Sequence, residues 1–292
     1  MTSAPRRDPL DVPALRRALL APAGPLARLD VVEVSGSTNA DLVAAVRRAP
    51  GEWPAPAALV AEHQVAGRGR AGRAWETPAR AALTVSVLLR PRLGPARLGW
   101  LPLLAGLAVA RAVDAAGVPG AAVKWPNDVL LPAADDVAGL GPFRKVAGVL
   151  AEVVPAVGVP GVVVGVGLNV DQAAAELPVP TATSLALAGA RVSREALLEA
   201  LVRGLVEAVG ALEDAGGDAG AAGLAAAYAA RSATLGHPVR AELAGGTDVV
   251  EGEALRVDAD GSLVLATGAG ERAVTAGDVH HVRRSQPGHS PR

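Results

Sequence analysis

Residues 62–75 read Glu-His-Gln-Val-Ala-Gly-Arg-Gly-Arg-Ala-Gly-Arg-Ala-Trp, alternating three glycines (Gly67, Gly69, Gly72) with three arginines (Arg68, Arg70, Arg73). Glycine leaves backbone amides free to converge and guanidinium presents a fork of donors, so such a segment suits an anionic ligand. The same letters satisfy G-x-G-x-x-G, which in a dinucleotide site opens a helix and precedes an acidic residue by about 20 positions. Here the chain passes Pro78 into a strand-like run at 83–89 and carries Arg90 where the acid belongs, so that reading fails. A kinase glycine loop fails as well, for want of a strand lysine soon after it and an H-R-D motif. A solvated basic turn, or an RNA-contacting arginine-glycine segment, stays open for this stretch alone.

Two other residue types are conspicuous by scarcity. Lys124 and Lys145 are the only lysines, and Asn39, Asn127 and Asn169 the only asparagines, in a chain that has no isoleucine and no cysteine. Arginine has displaced lysine everywhere else, which implies that these five side chains do something Arg, Asp or Gln cannot. All five lie in turn-rich or strand-end segments.

The elements that must position them follow from periodicity and punctuation. Residues 1–28 form a Pro-, Ala- and Arg-rich extension with one short helical pattern at 13–20, too few for a winged helix and its flanks. Residues 29–34 alternate as a strand, and Ser35-Gly36-Ser37-Thr38 caps an amphipathic helix over 39–48; its hydroxyls serve either as a plain cap or toward a ligand. A strand at 57–62 delivers the glycine-arginine loop and one at 83–90 leaves it. Residues 96–116 are apolar on most faces, as a buried helix is. A hairpin follows about Pro126-Asn127-Asp128. After a loop rich in Gly, Asp and Pro, residues 145–152 and 161–170 read as paired central strands whose glycines permit close approach. Helices are expected at 194–212 and 221–231. From residue 234 short alternating segments around an Asp260-Gly261 turn indicate a small β-barrel of roughly 50 residues. A disordered tail follows from Ser285. The five histidines lack metal-ligand spacing, and His280 and His281 read as ordinary strand residues.

The bulk properties bound the class. With 292 residues, half of them apolar, and a formal charge of -1, the chain suits one sizeable core plus a small appended domain. Its balanced charge argues against nucleic acid or membrane as the main partner. The start of the sequence has no charged-then-apolar leader, and cysteine is absent, which points to the cytoplasm and excludes thiol chemistry and disulfides.

Taken in order, Ser37-Thr38-Asn39, Glu62-His-Gln-x-x-Gly-Arg-Gly-Arg-x-Gly-Arg-x-Trp75, Lys124-Trp-Pro-Asn-Asp128, Lys145-x-Ala-Gly-x-Leu-x-Glu152 and Gly165-x-Gly-x-Asn169 resemble the biotin protein ligases. The resemblance spans about residues 30–284 and is to the monofunctional type without an N-terminal DNA-binding domain. It implies an α+β fold, a central mixed sheet with flanking helices like that of class II aminoacyl-tRNA synthetases, followed by an SH3-like β-barrel. The implied divisions are an extension (1–28), a catalytic domain (29–233), the barrel (234–284) and the tail (285–292). The implied activity is ATP-dependent activation of biotin as biotinoyl-5'-AMP, with magnesium. Biotin then passes to a lysine of the biotin carboxyl carrier domain of acyl-CoA carboxylases. No DNA and no membrane partner is expected, and the chain is either a monomer or a homodimer.

The resemblance also implies residue roles that the chemistry supports. Burying biotin's ureido group needs donors and acceptors, since an unpaired polar group costs about 1–3 kcal/mol. Ser37, Thr38, Asn39 and Gln64 supply both, Trp75 offers an apolar face, and Gly67, Gly69 and Gly148 allow close approach to biotin. The biotin carboxylate must then meet the α-phosphate of ATP, and two such charges about 4 Å apart repel by roughly 4 kcal/mol at a dielectric of about 20. Arg68 and Arg70 on a mobile loop and Lys145 on its strand are the expected catalytic residues, touching biotin as well. Arg73 would hold the departing pyrophosphate, and Arg70 would contact ATP as well. Lys124, Asn127, Asp128 and Asn169 would face the nucleotide, with Asp128 helping to bind magnesium. A closing loop would keep water from the mixed anhydride, and the reaction requires no covalent nucleophile. The neighbouring alternative is a lipoate protein ligase-like enzyme, whose substrate has no ureido group. From another class, a nucleic-acid-binding regulator using the arginine loop would bind with steep salt dependence.

Overall fold

The computed structural model describes residues 7–155, 159–243, 248–275 and 277–281; the tail expected from Ser285 lies outside them. Seven strands form the main sheet in the order β1 (Arg28–Ser35), β2 (Ala57–Gln64), β3 (Ala82–Leu89), β7 (Gly161–Asn169), β6 (Gly141–Val154), β5 (Asp128–Val137), β4 (Ala122–Lys124). β1 and β2 run parallel and every other pair antiparallel, so the sheet is mixed, as the resemblance implies.

Strand alternation sorts residues between two layers of helix. Leu83, Val85 and Val87 of β3 and Val162, Val164 and Val166 of β7 enter the larger core, which α3 (Trp100–Ala115) and α4 (Arg194–Asp214) complete with Leu104, Val109, Leu201 and Leu205. On the other face, Leu88 and Val163 pack against Leu42 and Val46 of α2 (Thr38–Arg48). The same period turns Ser86, Gly165 and Gly167 toward the α2 side, just beyond that apolar contact. Small and polar residues there leave a hollow that the apolar residues of α2 do not fill.

The stretch Pro95–Ala115 is long and apolar enough to cross a membrane by composition, yet most of it is buried inside the fold, as expected for a helix apolar all round. Two smaller helices, α1 (Val12–Leu19) and α5 (Leu224–Ala229), complete the α-helices among the described residues. The second is shorter than the 221–231 expectation, because an Ala- and Gly-rich run has no apolar stripe from which to read its ends.

The terminal strands β8 (Pro238–Leu243), β9 (Val249–Val257), β10 (Leu263–Thr267), β11 (Gly270–Val274) and β12 (Gly277–His281) form an antiparallel sheet in the order β11-β10-β9-β8-β12. The expected small barrel is built from this five-stranded sheet, and among the described residues no ladder joins β11 to β12. Its Val239, Ala241, Leu263 and Val279 belong to the same buried cluster as α3. Trp100 and Trp125 donate their indole N–H groups to the carbonyls of Asp258 (3.1 Å) and Gly261 (2.9 Å), fastening the β9–β10 turn to the main body. Gly99 is needed there, since a Cβ would lie 2.2 Å from the Asp260 carbonyl. Residues 132–144, read from sequence as a loop, instead extend β5 and β6 as a hairpin; Pro132, Asp135 and Asp136 are exposed, so the extension carries no apolar alternation to betray it.

The segment ahead of β1 is tied down by a buried carboxylate. Glu62 accepts from the Leu10 N–H at 2.6 Å and from Arg194 Nη1 at 2.6 Å, and both charged side chains are under a tenth exposed. Breaking a buried pair strands a charge, whereas replacing both partners is often nearly neutral. Arg194→Met should therefore lose about 3–5 kcal/mol in urea unfolding, and Glu62→Gln added to it should regain most of that. Equal stability of Arg194→Met and the parent would show that the pair contributes nothing.

Candidate active site

The hollow over β3, β7 and β6 is one end of a cavity of about 600 Å³. At this neutral end Gln64, the last residue of β2, caps α2: its Oε1 accepts from the Thr38 N–H (2.7 Å) and the Thr38 hydroxyl (3.0 Å). Ser37 holds the N-cap position but makes no capping bond, so its hydroxyl is left to the cavity that it lines. Ser86 Oγ lies 2.8 Å from Thr38 Oγ1 and 2.9 Å from Asn39 Oδ1, linking the two. Asn39 Nδ2 donates to Glu152 Oε2 (2.7 Å) and the Leu150 carbonyl (3.2 Å). Both of its amide protons are thus committed, which makes Asn39 chiefly a positioning residue with one acceptor lone pair to spare. The cluster presents hydroxyls and the Gln64 amide in one small patch, a match for a neutral group that both donates and accepts.

The floor is built from glycines on neighbouring strands, paired as Gly148 with Gly167 and Leu150 with Gly165. A Cβ on Gly165 would lie 2.4 Å from Asn39 Oδ1, and one on Gly167 would lie 2.4 Å from the indole of Trp75. Trp75 therefore lies flat against the backbone, and its Nε1–H is buried without a hydrogen-bond partner. The loop that delivers it is a small hairpin. Arg68 bridges to Ala74, the Trp75 N–H donates to the Gly67 carbonyl (2.9 Å) and the Gly69 N–H to the Arg73 carbonyl (2.7 Å). The turn uses left-handed Ala71 (φ 53°) and Gly72 (φ 73°). A Cβ on Gly67 would lie 2.3 Å from the Trp75 carbonyl, so this glycine lets the two arms close. The expected cradle of free backbone amides is thereby corrected: the Gly69 amide is spent within the loop, and the arginine side chains carry the charge into the site.

Beyond Trp75 the lining becomes cationic. Lys145 Nζ stands 2.6 Å from Asp128 Oδ1, as an ion contact without the direction of a hydrogen bond, and 5.9 Å from the Trp75 ring centroid. Lys124 is buried opposite Asp128 in the β4–β5 register; burial pushes its pKa down, and Asp128 partly opposes that. Arg70 donates to Asn127 Oδ1 (3.2 Å) and, more weakly, the Gly277 carbonyl (3.4 Å), with its pKa lowered first by burial. Arg73 Nη2 meets both oxygens of Asp278 on β12 at 2.7 and 2.8 Å. Arg68 is exposed at the rim. Five cationic side chains against three carboxylates line the cavity, so an anion entering it is attracted.

Two family models match this chain, the Biotin/lipoate A/B protein ligase family over residues 32–169 and the Biotin protein ligase C terminal domain over residues 234–282. The "Biotin--[acetyl-CoA-carboxylase] ligase" of Mycobacterium tuberculosis is 44% identical over 282 residues, 95% of this chain and 97% of that protein. The chain belongs to the biotin protein ligase family. The ligase of the same name from Paracoccus denitrificans is 34% identical over 83% of this chain and 96% of its own. Among solved structures, "Biotin protein ligase from Aquifex aeolicus in complex with biotin and ATP" superposes with a TM-score of 0.64 at 26% identity, over 89% of this chain and 99% of that one. All five motifs that carry the resemblance fall within the first matched region.

As a ligase site, the cavity gathers every residue expected from sequence except Gly67, which shapes the loop behind it. Two roles change. Asn169 lines the wall, but its amide donates to the Thr183 carbonyl (2.9 Å) and its oxygen accepts from Gln172 (2.9 Å), so it braces the chain after β7. Asp128 is the counter-ion of Lys145, and among the described residues no three His, Asp or Glu side chains gather to hold a metal. Magnesium is commonly bound through one or two carboxylates plus substrate phosphates; the residues fit an ion carried in by ATP, with Asp128 as one ligand, and do not fit a resident metal centre. Ser86 and Asp278 were not foreseen. Ser86 left a faint trace, a second hydroxyl two residues from Thr84 in an otherwise apolar strand. Asp278 left none, because its position depends on how the terminal sheet docks.

If Trp75 anchors the loop on the glycine floor, Gly167→Ala should dislodge it. Limited trypsin cleavage at Arg68, Arg70 and Arg73 should then be faster than in the parent. Gly210→Ala, at a helical position where a Cβ meets nothing within 4 Å, should leave cleavage unchanged. Identical digestion of Gly167→Ala and the parent would remove the anchor.

Proposed function

We propose that the neutral end of the cavity takes the ureido ring of biotin and the cationic end takes the phosphates of ATP, with Trp75 over the arm between them. The observation that carries this reading is the order of groups along one floor. The hydroxyl and amide cluster stands over Gly165, the indole over Gly167 and Gly148, and Lys145 with Asp128 comes next. Two residues of strand span about 7 Å, so each end lies within reach of a short acyl chain.

The chain is an ATP-dependent biotin ligase, and the geometry supports a division of labour for its two half-reactions. A biotin carboxylate oxygen attacks the α-phosphorus of ATP, the bond to the β-phosphate oxygen breaks, and pyrophosphate leaves. Lys145, released from Asp128, offsets the negative charge shared between carboxylate and α-phosphoryl group; Arg70, and Arg68 from the rim, add to it. Arg73 receives the pyrophosphate, and Lys124 with Asn127 lines the phosphate side. Magnesium, when bound with ATP, neutralises further phosphate charge. In the second half-reaction a carrier lysine amine attacks the anhydride carbonyl, AMP departs and an amide forms. The loop hairpin covers the anhydride meanwhile and limits its contact with water.

Residues 29–233 supply most of this chemistry, and β12 of the proposed C-terminal domain (234–284) closes one wall with Asp278, Val279 and His280. The partner is a biotin carboxyl carrier domain in the cytoplasm, and neither DNA nor membrane is part of the reaction. The hydroxyl and amide cluster favours biotin over lipoate, whose dithiolane ring has no groups to pair with it. Arg70 and Arg73 are engaged by Asn127 and Asp278, which disfavours a nucleic-acid-binding role.

Incubated with biotin, magnesium-ATP and a carrier domain, the chain should add the mass of one biotinyl group to the carrier; an unmodified carrier from folded enzyme would reject the ligase reading. Lys145→Ala should slow biotin-dependent pyrophosphate–ATP exchange on the order of a hundredfold, the scale for a lost charge stabiliser. Exchange at the parental rate would reject that role for Lys145.

A further inference from the structure

Arg73 is drawn to two different anions. In the structure both oxygens of Asp278 contact its Nη2, while the reaction requires a cation for pyrophosphate at the same end of the cavity. The carboxylate comes from β12, whose Gly277 carbonyl also accepts from Arg70. Asp278 and His280, two positions apart, share a face of that strand. Gly139 of the β5–β6 hairpin lies close enough that a Cβ there would sit 3.4 Å from the His280 ring. One strand of the terminal sheet thus meets both segments that overhang the cavity. Asp278 also faces the cationic end broadly enough to favour charge on Arg70 and Lys124.

We propose that Asp278 is a placeholder for phosphate. It positions Arg73, and with it the glycine-arginine loop, before nucleotide arrives, and ATP then displaces it by taking over the guanidinium. The exchange keeps Arg73 paired throughout, so the loop is held near its working position without the nucleotide having to order it. A carboxylate suits this task because both of its oxygens converge on Nη2 in a charge-assisted contact that a phosphate oxygen can take over. The pair is also weak enough to yield: both side chains are a third or more exposed, and exposed ion pairs contribute little. The inference rests on the reading that Arg73 receives the pyrophosphate.

Calorimetric titration of the full chain with magnesium-ATP, without biotin, tests it. Asp278→Asn keeps the shape and removes the competing charge, and should tighten ATP by about two- to fivefold, the range set by an exposed pair. Asp278→Glu restores the competitor and should bind ATP as the parent does. Arg73→Gln should weaken ATP, and adding Asp278→Asn to it should change nothing further. Thermal unfolding of each variant establishes that it is folded; should Asp278→Asn not fold, Asp278→Ser takes its place. Parental or weaker ATP binding by folded Asp278→Asn overturns the placeholder, as does tightening that persists without Arg73, which would reflect general charge alone. If Arg73→Gln leaves ATP affinity unaltered, the pyrophosphate role of Arg73 fails, and the placeholder with it.

Discussion

Trp75 rests where any side chain on Gly167 would have to be, and the rest of the site is arranged around that contact. The indole can lie on the backbone only because β6 and β7 place Gly148 opposite Gly167. The glycine-arginine loop is in register only because its Gly67 lets the arm ending in Trp75 come close. Remove either allowance and the arginines move with the ring. The contact therefore sets the distance between the neutral cluster and the cations, the distance that the proposed pose of biotin would span.

Much of this was legible because period-2 alternation is a strong signal when one face of a strand is Val and the other Gly. Residues 161–170 read as a central strand whose glycines permit close approach, and the mixed sheet followed from the family resemblance that the motifs carry. The loop was located correctly but its chemistry misread. Glycines between arginines suggest free amides, whereas the hairpin spends the Gly69 amide internally and needs Gly67 for close packing. The same holds for Ser37 and Gln64. A Ser before a helix predicts a side-chain cap, but a carboxamide from another strand supplies the acceptor, a tertiary substitution that no local pattern encodes. Asn39, Asn127 and Asn169 were singled out by scarcity, and each proves to hold a backbone carbonyl as well as line the cavity. An amide is the side chain that can do both at once, which is why Asp would not serve.

The charges show how a site built for anions stays folded without them. Bringing the two substrates together opposes a repulsion of roughly 4 kcal/mol, so cations are required. A cluster of cations repels itself, and burial adds to the cost, as the lowered pKa of Lys124 and of Arg70 records. The cost is offset by internal carboxylates: Asp128 beside Lys145 and Asp278 beside Arg73. Each counter-ion is placed against a cation to which the proposed reaction gives a role, and neither pair is fully buried.

This arrangement gives the terminal sheet a reason to be attached where it is. Its strands share the core of α3 and its β9–β10 turn is bonded by two tryptophans, Trp100 and Trp125, of which the second stands next to Lys124 in sequence. The docking is therefore rigid at one end and aligned with the phosphate side of the cavity. At the other end β12 offers only an exposed ion pair and a weak carbonyl contact to the loop. A firmly docked sheet making yielding contacts is what a lid requires. The sheet places Asp278 and the Gly277 carbonyl where the loop rests, through contacts weak enough to exchange for those of a ligand.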